Sequence, residues 1–328
     1  MGWRTRTGAG ALIVAALVTA VPADAAPRST LVITGYVESS DGPGVVRPSL
    51  AALTTVGVDG VNIAENGASV GSPDAASRTL LKQAHTAGRR AEVLVGNFSA
   101  ALSDFDEPAA HRLLASRANR AAVIRTLAAT AAAGWDGIHV DFESLDATDR
   151  AGLTVFTREL RAALPATKSL AMAVMASGSV GEYRAAGYDL PALASSLDRI
   201  VLMAYDQHGP GWSDAGPIGG MPWVKTVLGA LLTQVPAAEV DLGVAGYGYT
   251  WPTAGSGDVL TDAEARVTAR NATWDATQKE WHGTLAGGGD VWWSDRDSLQ
   301  ARENLARLKG LHGVAVWSLG QSDPISSS

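Results

Sequence analysis

Residues 134–144 read GWDGIHVDFES, an apolar run that ends in acids. Laid out as a strand, it sends His139, Asp141 and Glu143 to one face and Ile138, Val140 and Phe142 to the other. The apolar row calls for a helix layer and the polar row for a cleft. Neighbouring carboxylates on one strand face repel each other, and that repulsion lets one keep a proton near neutral pH, as a general acid must. Asp136 is out of phase with the inward row and is expected to order the start of the strand.

On both sides of this stretch, short β-branched runs alternate with Ala- and Leu-rich amphipathic segments, the pattern of βα units around a parallel sheet. Strands are predicted over 31–37, 58–64, 91–97, 137–143, 169–175, 199–205, 240–247 and 313–319. Helices are predicted over 48–56, 74–87, 109–133, 148–164, 190–196, 221–234 and 298–308. Eight strands with such crossovers give an α/β fold class, a TIM (β/α)8 barrel, whose site lies at the carboxyl ends of the strands. The stretch 250–297 is too long for one connection and carries its own helical and aromatic runs, so a small α+β insertion is expected between strands 7 and 8. Only residues 321–328 follow the last strand, and the barrel is expected to lack its last outer helix.

A chain of 328 residues accommodates one such barrel, which typically takes about 250. Arg4 and Arg6, an apolar run and Ala23-Asp24-Ala25 make residues 1–25 a secretory signal with an A-x-A site, leaving 26–328 as the barrel. The apolar run is shorter than the ~20 residues of a spanning helix, so a secreted protein with no membrane anchor after cleavage is expected. No cysteine is present, so stability rests on packing rather than disulfides. The net charge of -7 and scattered Lys and Arg speak against nucleic acid. A monomer is expected.

The chemistry-bearing residues cluster at strand ends. Strand 1 brings Tyr36 and Glu38, strand 4 Asp141 and Glu143, strand 6 Met203, Tyr205 and Asp206, strand 7 Tyr247, and strand 8 Trp317. Carboxylates bond sugar hydroxyls and supply an acid, while aromatic faces cover pyranose rings. The sequence leaves open whether Glu38 and Asn97 line the cleft or cap loops.

Asp136 to Glu143 resembles the DxxDxDxE signature of glycoside hydrolase family 18, the chitinase family. MAYD at 203–206, GVAGYGYTW at 243–251 and GVAVWSLG at 313–320 resemble its motifs on strands 6, 7 and 8, in order. The DFE acid motif and WWSDRDS at 292–298 resemble the bacterial, spore-cortex branch. The resemblance implies Glu143 as general acid and Asp141 as the carboxylate that turns to the substrate 2-acetamido group. It further implies Tyr205 as a donor to the acetamido oxygen, with Asp206 holding the sugar and Trp317 under it, and the strand-end positions of Met203, Tyr36, Tyr247 and His139 make them further substrate-binding candidates. It implies cleavage of β-1,4 bonds next to N-acetylglucosamine in chitin-like or peptidoglycan glycans, with no cofactor and no metal.

One position departs from the signature, because His139 stands where the family has its second aspartate. A cationic or donating imidazole there is expected to hold Asp141 more firmly ionised and to alter the pH profile. Two other functions stay open. His139, Asp141 and Glu143 with an inward-turned His208 would make a metal-dependent barrel hydrolase. A weakly active or inactive barrel would be a sugar-binding protein, although such relatives usually lack the acid that Glu143 supplies.

Overall fold

The computed structural model describes Met1 and residues 31–326. The signal read at 1–25 lies outside the described residues but for Met1. The chain lays down β1 (Val32–Glu38), β2 (Thr55–Asn62), α1 (Ala75–Thr86) and β3 (Arg90–Gly96), then a small hairpin of β4 (Phe98–Ser99) and β5 (Asp104–Phe105). Next come α2 (Glu107–Ala115), α3 (Arg117–Ala132), β6 (Gly137–Asp141), α4 (Arg150–Ala163) and β7 (Ser169–Met175). After α5 (Val180–Ala185) and α6 (Leu190–Ala194), β8 (Arg199–Met203), α7 (Met221–Leu232) and β9 (Val240–Ala245) continue the pattern. A second sheet then intervenes: β10 (Gly248–Pro252), β11 (Val259–Leu260), α8 (Asp262–Thr268), β12 (Arg270–Asp275), β13 (Glu280–Thr284) and β14 (Gly289–Trp293). The chain returns through α9 (Arg296–Lys309) to β15 (Gly313–Trp317).

Eight strands close a parallel barrel in the order β1-β15-β9-β8-β7-β6-β3-β2, the TIM architecture read from the sequence. The alternation of β6 builds its wall. Ile138, Val140 and Phe142 are buried in the layer between strands and helices. There α4 presents Leu153, Phe156, Thr157 and Leu160, a helical i, i+3, i+4, i+7 stripe, and Phe156 meets Phe142 at 5.5 Å between ring centres. Burying each such ring is worth roughly 1.5–3 kcal/mol.

Inside the barrel, the amino end is closed by charge. Arg199 grips Glu92 through both terminal nitrogens, with Nη1 to Oε1 at 2.9 Å. Its Nε stands 3.0 Å from Asp241 Oδ2 as an ion pair not aligned for a hydrogen bond. Asp241 Oδ1 also meets His312 Nδ1 at 2.6 Å.

The structure departs from the sequence reading in several connections. Residues 43–52 run in consecutive turns where a helix was predicted at 48–56, and Thr55 and Val56 already belong to β2. Ser49 Oγ accepts the N–H of Ile325 at 3.0 Å, so the C-terminal segment packs over this side with Val46 and Leu53. The helix predicted at 109–133 is two helices, because Ser116 is extended and caps α3 by accepting from Asn119 N. β9 stops at Ala245, earlier than predicted, and the next residues join the second sheet. No helix follows β15 among the described residues.

Candidate active site

At their carboxyl ends the barrel strands open into a cleft of about 510 Å³. β6 brings His139, Asp141 and, just past its end, Glu143 to this cleft. Met203 from β8, Tyr205 and Asp206 from the residues after it, Trp317 from β15 and Tyr36 and Glu38 from β1 complete the lining anticipated from the sequence.

Glu143 is held through its backbone. Its N–H donates to Asn97 Oδ1 at 2.9 Å, and its carbonyl accepts from Asn97 Nδ2 at 3.0 Å. Asn97 is buried and does not line the cleft; it clamps the segment that carries Glu143. Burial raises the Glu143 carboxyl well above the usual carboxylate range, and the charges of Asp141, Asp206 and Asp104 raise it further. Glu143 therefore carries a proton at neutral pH.

Asp141 is raised as well, first by burial and then by the charge of Asp59. Its Oδ1 is buried with no hydrogen-bond partner. This reverses the ionised Asp141 expected from the His139 substitution, and His139 itself supplies the reason. Burial and the nearby Arg199 cation push the imidazole down to about 3, against a weaker opposite pull from Glu92, so the ring is neutral. Its Nδ1 lies 3.1 Å from Tyr36 Oη, and the two rings meet edge to face. Tyr36 in turn lies 5.9 Å from Trp317 between ring centres, which packs the floor of the cleft.

Tyr205 is raised well above its ordinary value by burial and by the acids around it, so its phenol remains a donor. Asp206 adopts a left-handed backbone, φ 56°, which aspartate tolerates better than most residues. Its Oδ1 accepts hydrogen bonds from Tyr247 at 2.6 Å and Tyr249 at 2.9 Å. Tyr247, expected among the sugar contacts, thus stands behind Asp206 rather than on the cleft wall. The cause is the departure of the chain from the barrel after Ala245, which turns the phenol under Asp206.

His208 does not turn inward. Its ring packs over Gly216, outside the lining, and among the described residues no three His, Asp or Glu side chains gather as a metal set. Sequence reasoning missed Asp59, Asn62, Phe98, Phe105, Met175 and Trp223, all of which line the cleft. Phe98 and Phe105 face each other across the β4-β5 hairpin at 5.7 Å. A signal that could have drawn notice to Asp59 is the Asp-Gly pair inside a β-branched run, a bulge mark that does not say which side chain turns inward.

The family model Glycosyl hydrolases family 18 matches residues 86–322. The chain belongs to this family. This family 18 glycosidase is 23% identical to the uncharacterized glycosylase YvbX of Bacillus subtilis (strain 168), over 82% of this chain and 81% of that one. It is 32% identical to the cortical fragment-lytic enzyme of the same organism, over 58% of this chain and 48% of the relative, so it spans about half the length of that enzyme. Among solved structures, a chitinase from Chromobacterium violaceum superposes with a TM-score of 0.80 at 27% identity, covering 90% of this chain and 96% of that one. The family 18 barrel thus resembles cortex-lytic and chitinolytic relatives together.

Proposed function

We propose that the protein is an exported hydrolase of β-1,4 bonds next to N-acetylglucosamine, acting by substrate-assisted retention with Glu143 as general acid. The observation that carries this reading is the placement of Glu143 at the cleft, its backbone clamped by Asn97, two residues beyond Asp141, whose Oδ1 has no partner; the raised Glu143 carboxyl suits an acid. The substrate carbonyl oxygen of the 2-acetamido group attacks the anomeric carbon as the glycosidic bond breaks. The bonding pair goes to the leaving oxygen, which takes the Glu143 proton. The resulting oxazolinium ion is positive, and Asp141, ionised at that stage, stabilises it. Tyr205 donates to the acetamido oxygen, Asp206 and Tyr36 hold the sugar, Met203 flanks it and Trp317 lies beneath. Water then adds to the anomeric carbon, gives its proton to Glu143 and restores the acetamido group. Because the nucleophile belongs to the substrate, the separation rule for paired glycosidase carboxylates does not apply.

The cleft is lined for sugar hydroxyls and an acetamido group rather than for an anionic substituent on the sugar at the cleavage site. Among the residues that line it there are five acids and no Lys or Arg to pair with an anionic substituent. Chitin-type oligomers and peptidoglycan strands both carry the required acetamido group, in keeping with the chitinase and the cortical fragment-lytic enzyme among the relatives. The chain from Ala26 onward and its Glu143→Gln variant are given chitin oligomers and purified peptidoglycan, with and without chelator, and the products weighed by mass spectrometry. Cleavage beside N-acetylglucosamine that depends on Glu143 and ignores chelator supports the reading and names the substrate. Cleavage that survives the substitution, or binding without turnover, sinks it.

A further inference from the structure

The unpartnered Oδ1 of Asp141 needs an explanation, since a buried carboxyl oxygen without a donor is costly. The groups that face it do not supply a cation. Glu38 and Tyr36 come from β1, Asp59 from β2, neutral His139 and Glu143 from its own strand, and Tyr205 and Asp206 from the end of β8. Asp104, on the β5 hairpin strand, adds its charge near Glu143. The guanidinium of Arg199, at the amino end of the barrel, is engaged by Glu92 and Asp241. A second carboxyl that holds a proton can serve that oxygen as a donor.

β2 is built to present one. Its pairing with β3 runs through Val58 with Val93 and resumes at Val61 with Val95, so β2 carries one extra residue there. Gly60, φ 144°, takes up the irregularity, and a Cβ on it would come within 2.6 Å of Ser39 Oγ. Val56, Val58 and Val61 all pack outward into the helix layer. The extra residue therefore lets Asp59 and Asn62 both line the cleft, although their spacing in a regular strand would put them on opposite faces. Asp59 Oδ1 accepts from Gly60 N at 2.7 Å, which fixes the carboxyl. Between β2 and β6, β3 places Gly96 opposite Asp141 and Asn62, and Asn62 Oδ1 lies over that glycine, where a Cβ would come within 2.7 Å of it.

We propose that Asp59 is a positioning residue which shares one proton with Asp141, directly or through one water, as a carboxyl–carboxylate pair across β2 and β6. Burial raises Asp59 to about 6, with Glu38 adding to the rise and the Gly60 amide opposing it, as a proton-sharing partner requires. The inference deepens the glycosidase reading and rests on it for its kinetic consequence. At rest the proton sits on Asp141. When the positive oxazolinium develops, the proton passes to Asp59 and the negative charge to Asp141, so the pair keeps a charge of minus one and no proton is exchanged with solvent.

The test separates the pair from the activity. In the Glu143→Gln protein, carbon-13 NMR of the aspartate carboxyls follows Asp59 and Asp141 against pH. The pair is expected to release its protons in two separated steps felt at both residues, as interacting sites do. Asp59→Asn is expected to leave Asp141 with a single, lower step, and adding His139→Asp to restore two. Asp59→Ser replaces the asparagine variant if a thermal melt shows that variant unfolded. In the protein with Glu143 intact, Asp59→Asn is expected to lower kcat roughly tenfold with KM held, the size of a one-unit change in a proton equilibrium. A single-step Asp141 titration that ignores Asp59 overturns the inference even if Glu143 proves catalytic. A two-step titration in a protein without turnover keeps the pair and removes the glycosidase.

Discussion

The two ends of the barrel hold acids under opposite conditions. At the amino end, burial alone would raise Glu92, but the charge and hydrogen bonds of Arg199, with a further bond from Ser169, bring it down to about 2. At the carboxyl end, Asp59, Asp141 and Glu143 are partly withdrawn from solvent without a cation among the lining residues, and all three are raised. Burial makes both shifts large; the partner decides their sign. One end is thus a charged plug that braces the strands, and the other a store of protons. The difference lies in where a single arginine was placed.

Breaking the upper end gives the largest expected effect. Glu143→Gln should lower kcat by about 10²- to 10⁴-fold with KM little changed. It should also raise the melting temperature at neutral pH by roughly 2 °C. The sign follows from linkage: a carboxyl raised by folding stabilises the protein below its unfolded titration and loses that contribution as pH climbs through the folded one. A lower melting temperature would mean that Glu143 is not raised.

Breaking the lower end should act on stability instead. Arg199→Met leaves Glu92 and Asp241 buried without the guanidinium, with only Ser169 and His312 as partners, at a cost of about 3–5 kcal/mol in denaturant unfolding. Glu92 is depressed from 4.5 to about 2, so its contribution is complete above the ordinary carboxylate range and fades as pH falls through that window. The deficit of the variant should narrow there. If the alkaline limb of kcat moves with this substitution, the charge of Arg199 reaches Glu143 as well as His139.

Smaller changes sharpen the contrast within the upper end. Asn97→Ala frees the backbone on both sides of Glu143 and should lower kcat by about 10²-fold, the loss expected for a misplaced acid, while its alkaline limb keeps its position. A shifted limb would make Asn97 an electrostatic partner instead of a clamp. Tyr247→Phe removes one of the two hydroxyls that draw the Asp206 carboxyl down, and KM for oligosaccharides should rise about tenfold, near 1.4 kcal/mol. An unchanged KM would place Asp206 away from the sugar.

The residues that were readable in the sequence are those whose position follows from a strand's own period. His139, Asp141 and Glu143 face the cleft because alternate residues share a face, and no distant contact was needed to say so. The barrel was legible for the same reason, strand by strand. Asp59 was not, because its direction depends on an extra residue whose register only the pairing with β3 reveals. The charge of His139 depends on Arg199, sixty positions along the chain, and on burial that a strand pattern does not measure. The turns at 43–52 are tied to Ile325, distant in the chain, whose N–H donates to the Ser49 hydroxyl, a contact that no local pattern announces. Tyr247 was placed on the wall because nothing in GYGY marks where one sheet hands the chain to another.

That handover bears on how the molecule tolerates rearrangement. Loops at the mouth of a TIM barrel are commonly exchanged without disturbing the strands below. Here Tyr247 and Tyr249 lie on the passage from β9 into β10, and both anchor Asp206. The second sheet is therefore not a detachable cap. Grafting a different insertion after Ala245 would remove the two phenols that fix a cleft carboxylate, so lineages that reshape this sheet must carry the tyrosine pair with them or find another anchor.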